Sequence, residues 1–450
     1  MNNKTDQFLN DPIMPLLFKM SAPNTIAFFV QAIVVLTEIW FISKLGTISL
    51  AAVALAFPVL MLTQQMAFGA FGGAVTSSIA RSMGSGDTER AEKLLWHALF
   101  IACAGALILL AAFLVGGEWL LKILGGEGLL LEQSLSYCMI FLSGAILIWL
   151  SGSLSAALRG LGNMRFPAIL MVLASGIQVI LSGGLILGWF GFPKMGISGA
   201  AVSALANGAF MTLIMFLKFS SSSSPIRLKL SRLSPEKELF KDILDVALPA
   251  SLAPVFTVGT ILVLTGLVGQ FGTSALAGYG IGSRVEFLMI PLVFGIGTAM
   301  TAMVGTNIGA KNIARAEKIG FIGGISAGAF AGIIGVILAL TPELWINYFA
   351  TDEATYLVTK QYIQIVGVCY AFQGLGLSLY FASQGANAMK WPIIGTVTRF
   401  IIAALGGSIA VYWFESNLSG IFYSAAAAML IFGLILLISL KMGAWRTNQS

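Results

Sequence analysis

The sequence predicts an all-α integral membrane protein of twelve transmembrane helices arranged as two parallel six-helix repeats. Three observations predict it. Hydrophobic residues make up 58% of the 450 and charged residues 10%, which leaves too little polar surface to clothe a water-soluble body of this size. Apolar stretches such as 94–116, 168–190 and 422–440 reach the roughly 20 residues that cross a hydrocarbon core as helix. The chain is also written twice. Arg-Ala-Glu-Lys occupies 90–93 and recurs 225 residues later at 315–318. Pro23 pairs with Pro249 and Phe68 with Phe294 at a spacing of 226, while Gly84 with Gly309, Gly160 with Gly385 and Pro167 with Pro392 hold 225. Six spans per copy is an even number, so both copies enter from the same side and are related by an axis along the membrane normal.

In chain order the spans fall near 15–44, 50–82, 92–116, 131–158, 166–190 and 196–218, then 241–270, 276–307, 317–341, 355–385, 391–413 and 419–442. The first lobe is 1–219, the cytoplasmic linker 220–238 and the second lobe 239–450. Pro23 and Pro249 sit early in the first and seventh spans, where a missing amide donor makes a bend point. The Gly84-Ser85-Gly86-Asp87 and Gly309-Ala310-Lys311-Asn312 turns stop the second and eighth spans, and Asp87 or Asn312 caps the helix that follows. Arg159-Gly160-Leu161-Gly162 leads to Pro167 in the first turn of the fifth span. The linker opens with a run of serines, read as flexible, and ends with Arg227, Lys229 and Arg232 alternating with leucines, read as lying on the anionic leaflet.

Nineteen of the 25 Lys and Arg fall on the segments that are cytoplasmic if the N-terminus is inside, against Lys44, Lys122 and Lys194 outside. This orients both termini to the cytoplasm of the plasma (inner) membrane. The net charge of +6 is thus a matter of orientation and gives a nucleic-acid partner no support. No cleavable signal peptide is read at the N-terminus. Cys103, Cys138 and Cys369 lack metal-ligand spacing, and the lone His97 has no catalytic companion, so neither a metal centre, a cofactor nor an enzyme is indicated.

Charges inside spans cost about 2.5–3.5 kcal/mol at a helix centre and face protein or a water-filled cavity. Two acidic residues qualify, Glu38 and Glu286. Glu38 lies six residues before Lys44, roughly 9 Å deep. Asn24, Gln31 and Glu38 recur every seven residues, with only about 20° of drift per heptad. Ser175, Gln178 and Ser182 on the fifth span, with Ser203 and Asn207 on the sixth, could surround Glu38 in the first lobe. A carboxyl group taken out of water favours its neutral form, so it could hold a proton and release it to an arriving cation. The competing account is a Glu that only hydrogen-bonds across helices. Arg284 and Glu286 are two apart and point about 200° from one another, so each needs its own partner, in a structural network or on a substrate. Arg399 and Lys360 are read as snorkelling towards the inner and outer surfaces.

These features together resemble the multidrug and toxic compound extrusion (MATE) transporters. The resemblance spans both copies: Glu38 followed by Ile-Trp-Phe-Ile-Ser-Lys-Leu-Gly46, the Gly84 and Gly309 turns, and the Arg159 to Pro167 element. It implies a V-shaped pair of lobes (N-lobe and C-lobe), alternating access and export of cationic or amphipathic compounds driven by proton or sodium entry, from a monomer. The family commonly has Asp at the place of Glu38, with Pro fifteen residues earlier, as Pro23 is here. The DinF branch, which this chain resembles more closely, adds Asn and Asp four apart in helix five, where Gln178 and Ser182 stand. The missing second carboxylate makes proton the expected coupling ion. NorM members place Glu in helix seven and Asp in helix ten, where this chain has Thr257 and Gln373. With Arg284 and Glu286 these form the candidate C-lobe cavity. The expected activity is therefore proton-coupled multidrug antiport centred on Glu38. Sodium coupling, or flipping of a lipid or lipid-linked precursor, are the alternatives.

Overall fold

The computed structural model describes residues 3–222, 224–350, 352–414 and 417–446, and every regular element among them is helical. Eleven helices are long and apolar enough to cross a membrane, and a helix pair bent by 47° supplies a twelfth span, matching the expected count. We number the spans α1 (Ile13–Ser43), α2 (Thr47–Gly84), α3 (Thr88–Ile123), α4 (Gly128–Ser143 with Ala145–Gly160), α5 (Arg165–Leu187) and α6 (Ile197–Ser220). The second copy supplies α7 (Lys237–Gly269), α8 (Thr273–Gly309), α9 (Ile313–Leu340), α10 (Glu353–Gly385), α11 (Lys390–Tyr412) and α12 (Leu418–Lys441). Large apolar side chains such as Leu36, Val115 and Trp119 are exposed, as a lipid solvent permits.

The duplication extends to individual hydrogen bonds. Thr76 Oγ1 donates to the Ala156 carbonyl at 2.9 Å, and Thr301 Oγ1, 225 residues on, donates to the Phe381 carbonyl at 2.9 Å. Beside these bonds lie Gly160 and Gly385, where a Cβ would stand 2.8 Å from the Thr76 carbonyl oxygen and 2.5 Å from that of Thr301. The helices therefore touch backbone to backbone, and only glycine fits. The expected caps form as well. Asp87 accepts from the Arg90 amide at 2.9 Å and Asn312 from the Arg315 amide at 3.2 Å.

The described chain packs as two compact units, one built on Ile26–Ala247 and the other on Asp6–Thr25 with everything from Leu248 onward. The boundary thus falls inside α1, two residues after Pro23, and inside α7, just before Pro249. Each unit grips the chain at the start of the helix that begins in it and runs on into the other. In the first, Asp242 near the start of α7 receives Arg81 at 2.6 Å and Arg90 at 3.3 Å. In the second, the Arg315 guanidinium donates to the Phe8 carbonyl at 3.2 Å and to that of Asp11, and Asn307 Nδ2 donates to the Phe8 carbonyl at 3.0 Å. Arg90 and Arg315 are the two arginines of the repeated Arg-Ala-Glu-Lys, so the motif holds chain rather than carrying chemistry.

The linker has partners that its sequence did not show. Its basic half lies along α3 of the first unit. Lys229 reaches Glu92 at 2.9 Å, Arg232 reaches Glu89 at 2.5 Å and Glu92 at 3.5 Å, and the Arg227 amide donates to Glu92 at 3.2 Å. Glu92 is 5% exposed. A carboxylate so enclosed needs charged partners, and the linker supplies them. His97 completes the seam. Its Nδ1 bonds the Lys93 carbonyl at 2.8 Å, which leaves Nε2 to accept the Glu236 amide at 2.9 Å, so the only histidine packs structurally. Replacing Glu92 with Gln is expected to free this seam and to speed tryptic cleavage after Arg227, Lys229 or Arg232 at least fivefold in detergent. Unchanged cleavage kinetics would refute the pinning.

Candidate functional site

In the first unit, α1, α5 and α6 bring together most of the polar residues singled out above. Gln178 and Ser182 are four apart on α5, hence on one face, and both aim at the same atom. Gln178 Nε2 donates to Glu38 Oε1 at 2.9 Å, and Ser182 Oγ donates to that oxygen at 2.5 Å. Asn207 Nδ2 on α6 donates to Gln178 Oε1, which turns the Gln178 amide so that its N–H side faces the carboxylate. One rung below, Ser175 Oγ donates to Gln31 Oε1 at 3.2 Å. The rungs climb α1 and α5 in the same sense, as first and fifth spans of one repeat must. Gln178, Ser182 and Asn207 are buried and Glu38 is half-buried. Tyr137 of α4 also lies within electrostatic reach of Glu38; nothing in its spacing marked it.

Two expected members lie elsewhere. Pro23 and Asn24 belong to the other unit, where Asn24 Nδ2 donates to Thr298 Oγ1 at 3.1 Å. The seven-residue stripe is real as a periodicity, but fourteen residues of helix span about 21 Å, too far for one cluster. Ser203 is fully buried and its hydroxyl turns back to the Gly199 carbonyl at 2.7 Å. It packs against the cluster's helix instead of donating into it.

Glu38 therefore has two donors on Oε1, while among the described residues no hydrogen bond reaches Oε2 and no basic side chain pairs with the carboxylate. The described residues also hold no group of three or more His, Cys, Asp or Glu able to grip a metal ion.

The MatE family model matches residues 23–182 and again 249–409, once in each copy and over most of the chain. The chain belongs to the MatE family. This MATE transporter is 26% identical to a probable multidrug resistance protein NorM of Thermotoga maritima, over 95% of this chain and 92% of that protein. It is 28% identical to an FAD transporter of Shewanella oneidensis over 89% of this chain and 90% of that one. The multidrug export protein MepA of Staphylococcus aureus is 24% identical over 94% of each. A solved MATE transporter in an outward-facing conformation superposes with a TM-score of 0.90 over the whole of both chains at 23% identity, which fixes the fold.

The second unit of this MATE protein holds its polar residues differently. Glu286 Oε1 accepts from the Tyr362 hydroxyl at 2.9 Å, and Arg399 lies within electrostatic range of the carboxylate. The Tyr362 ring packs edge-on against Tyr279 at 5.5 Å and Phe422 at 5.2 Å, while the Arg399 guanidinium lies over Phe432 at 5.6 Å. Arg399 thus lies over an aromatic face and within electrostatic range of Glu286, without direct ion-pair contact, and the reading of it as a snorkelling residue is corrected. An opposite charge within the same bundle gives the guanidinium a better partner than a distant surface. The signal was present in the sequence as two opposite charges inside spans of one repeat. Lys360, by contrast, does sit at a helix periphery, 3.6 Å from Glu343. Among the described residues neither Thr257 nor Gln373 hydrogen-bonds Glu286, and the buried Gln373 Oε1 has no hydrogen-bond partner. Arg284 stands apart from Glu286 as well, exposed at a break in α8. Removing one charge of the Glu286 and Arg399 pair strands the other. Glu286→Gln and Arg399→Gln should each lower the melting midpoint in detergent, and the double variant should regain at least half of the summed loss. The corresponding coupling energy is about 0.5–3 kcal/mol; additive losses would show that the two do not interact.

Proposed function

We propose that the protein is a proton-coupled exporter of amphipathic and cationic organic compounds, acting as a monomer in the inner membrane with both termini on the cytoplasmic side. Glu38 alternates between carrying a proton and attracting a substrate cation. The observation that carries this reading is the one-sided solvation of its carboxylate. Two donors fix Oε1, and Oε2 is left to take the proton. With no basic partner among the described residues of the first unit, the charge on Glu38 must be balanced by something that arrives and leaves. That is what a coupling group requires.

The same geometry supports proton over sodium. Sodium is held by several oxygens, but of the two α5 groups on Glu38 one is the Gln178 N–H, whose carbonyl is already taken by Asn207, and only the Ser182 hydroxyl offers an oxygen. A cation approaching Oε2 would meet one carboxylate and one hydroxyl, with an amide donor beside them. Glu286, by contrast, has Arg399 as an internal counter-charge, so coupling belongs to one lobe. The relatives' names support multidrug substrates, and the FAD transporter adds a phosphorylated compound to the panel worth assaying.

The test is dye efflux from proteoliposomes under a proton gradient or a sodium gradient imposed separately. Wild type is expected to respond to the proton gradient and Glu38→Gln to lose at least 90% of that response while remaining folded; sodium-driven efflux, or normal export by the variant, would sink the mechanism. Asn207→Leu, which frees the Gln178 amide, should reduce proton-driven efflux several-fold and shift its pH profile. An unshifted profile would make Asn207 a packing residue only.

A further inference from the structure

We propose that Arg284 is an anion-recognition point on the transport path of the second unit, where it pairs with a carboxylate or phosphate carried by the transported compound. This deepens the exporter reading and rests on it. The substrates it selects are amphipaths with an acidic group, zwitterions included.

Depth is the first argument. Arg284 lies eleven residues from the start of α8 at Thr273 and 25 from its end at Gly309, about 17 Å and 38 Å along a helix, so it falls inside the span and not at either end. It is exposed all the same. An arginine at that depth does not rest against acyl chains; it faces protein or water, and an exposed one in this unit faces water.

Isolation is the second. Among the described residues no hydrogen bond or ion pair reaches the Arg284 side chain, and the nearest acid in sequence, Glu286, is engaged by Tyr362 and faces Arg399. The charge at Arg284 is left for a mobile partner.

The third is the contrast between the copies. α8 pauses for two residues at Arg284 and Val285, between Thr273–Ser283 and Glu286–Gly309, with both still in right-handed helical dihedrals. The repeat counterpart of Arg284 is Pro58 and that of Glu286 is Leu60, so the first copy carries no charge here. The guanidinium's planar fork matches carboxylate and phosphate oxygens in pairs, which is the chemistry that would fill the vacancy in its hydrogen bonding.

The experiment uses one rhodamine as its ethyl ester, its free acid and a phosphoethyl ester, so that only the acidic group varies. Efflux of each is measured in proteoliposomes, and binding of each to detergent-purified protein by fluorescence anisotropy, for wild type, Arg284→Gln and Arg284→Lys. The expected result is a fall of at least tenfold in the acid-to-ester ratio for Arg284→Gln in both assays, with partial retention in Arg284→Lys. A ratio unchanged within twofold overturns the assignment, as does wild type that binds the ester and not the acids. Repeating the binding in nanodiscs of phosphatidylcholine with and without phosphatidylglycerol separates the two sources of anion. If the anionic lipid displaces the acid dyes and the ratio then ceases to depend on Arg284, the partner is a lipid headgroup and the substrate assignment falls. Failure of efflux for every dye, with the binding ratio intact, would count against the exporter reading and leave the anion site standing.

Discussion

A carboxylate without a cation is the constraint on which the first unit is organised. A bilayer offers no water to solvate Glu38, so the bundle must supply its hydrogen bonds from within. It does so with neutral donors alone, Gln178 and Ser182 on one oxygen, and orients the first of them through Asn207. The arrangement is sufficient to hold the group in place and insufficient to neutralise it. In the proposed exporter that remainder is what couples, because a charge that the fold had cancelled permanently could not couple to anything.

The second unit answers the same constraint in the opposite way. Glu286 has a hydroxyl donor in Tyr362 and an internal counter-charge in Arg399, set within an aromatic cluster of Tyr279, Tyr362 and Phe422. Two copies of one helical plan, sharing even the Thr76 and Thr301 hydrogen bonds, have therefore parted in their electrostatics. The shared glycines and caps preserve the frame, while the polar residues inside it are free to diverge. The charged contacts at helix starts belong to the frame. Arg90 and Arg315 occupy equivalent places and hold the entering ends of α7 and of the segment before α1, which gives the repeated motif a mechanical purpose that its composition alone did not suggest.

The sequence was enough to read Glu38, Gln178, Ser182 and Asn207 as one cluster, since a carboxyl inside a span and polar residues at i and i+4 on later spans leave few other arrangements. Asn24 was grouped with them by periodicity and lies instead against Thr298, because a helix face says nothing about which bundle each turn of that helix enters. The linker shows the same limit. Its basic residues were read for a lipid surface, and nothing in their order showed that Glu89 and Glu92, more than a hundred residues away, hold Lys229 and Arg232 at close range.

Taken by itself, the sequence determined the solvent, the number of spans and the duplication, and singled out Glu38 and Glu286 as acids inside spans, because these follow from hydropathy, spacing and the cost of burying charge. Tertiary structure alone decided who partners whom: Oε1 of Glu38 against Oε2, Arg399 with Glu286, the linker with α3, and the exposure of Arg284 at the break in α8. Hydrogen bonds and ion pairs act over about 3 Å between residues that are distant in sequence. Their choice is therefore made by packing, which the order of residues constrains but does not spell out.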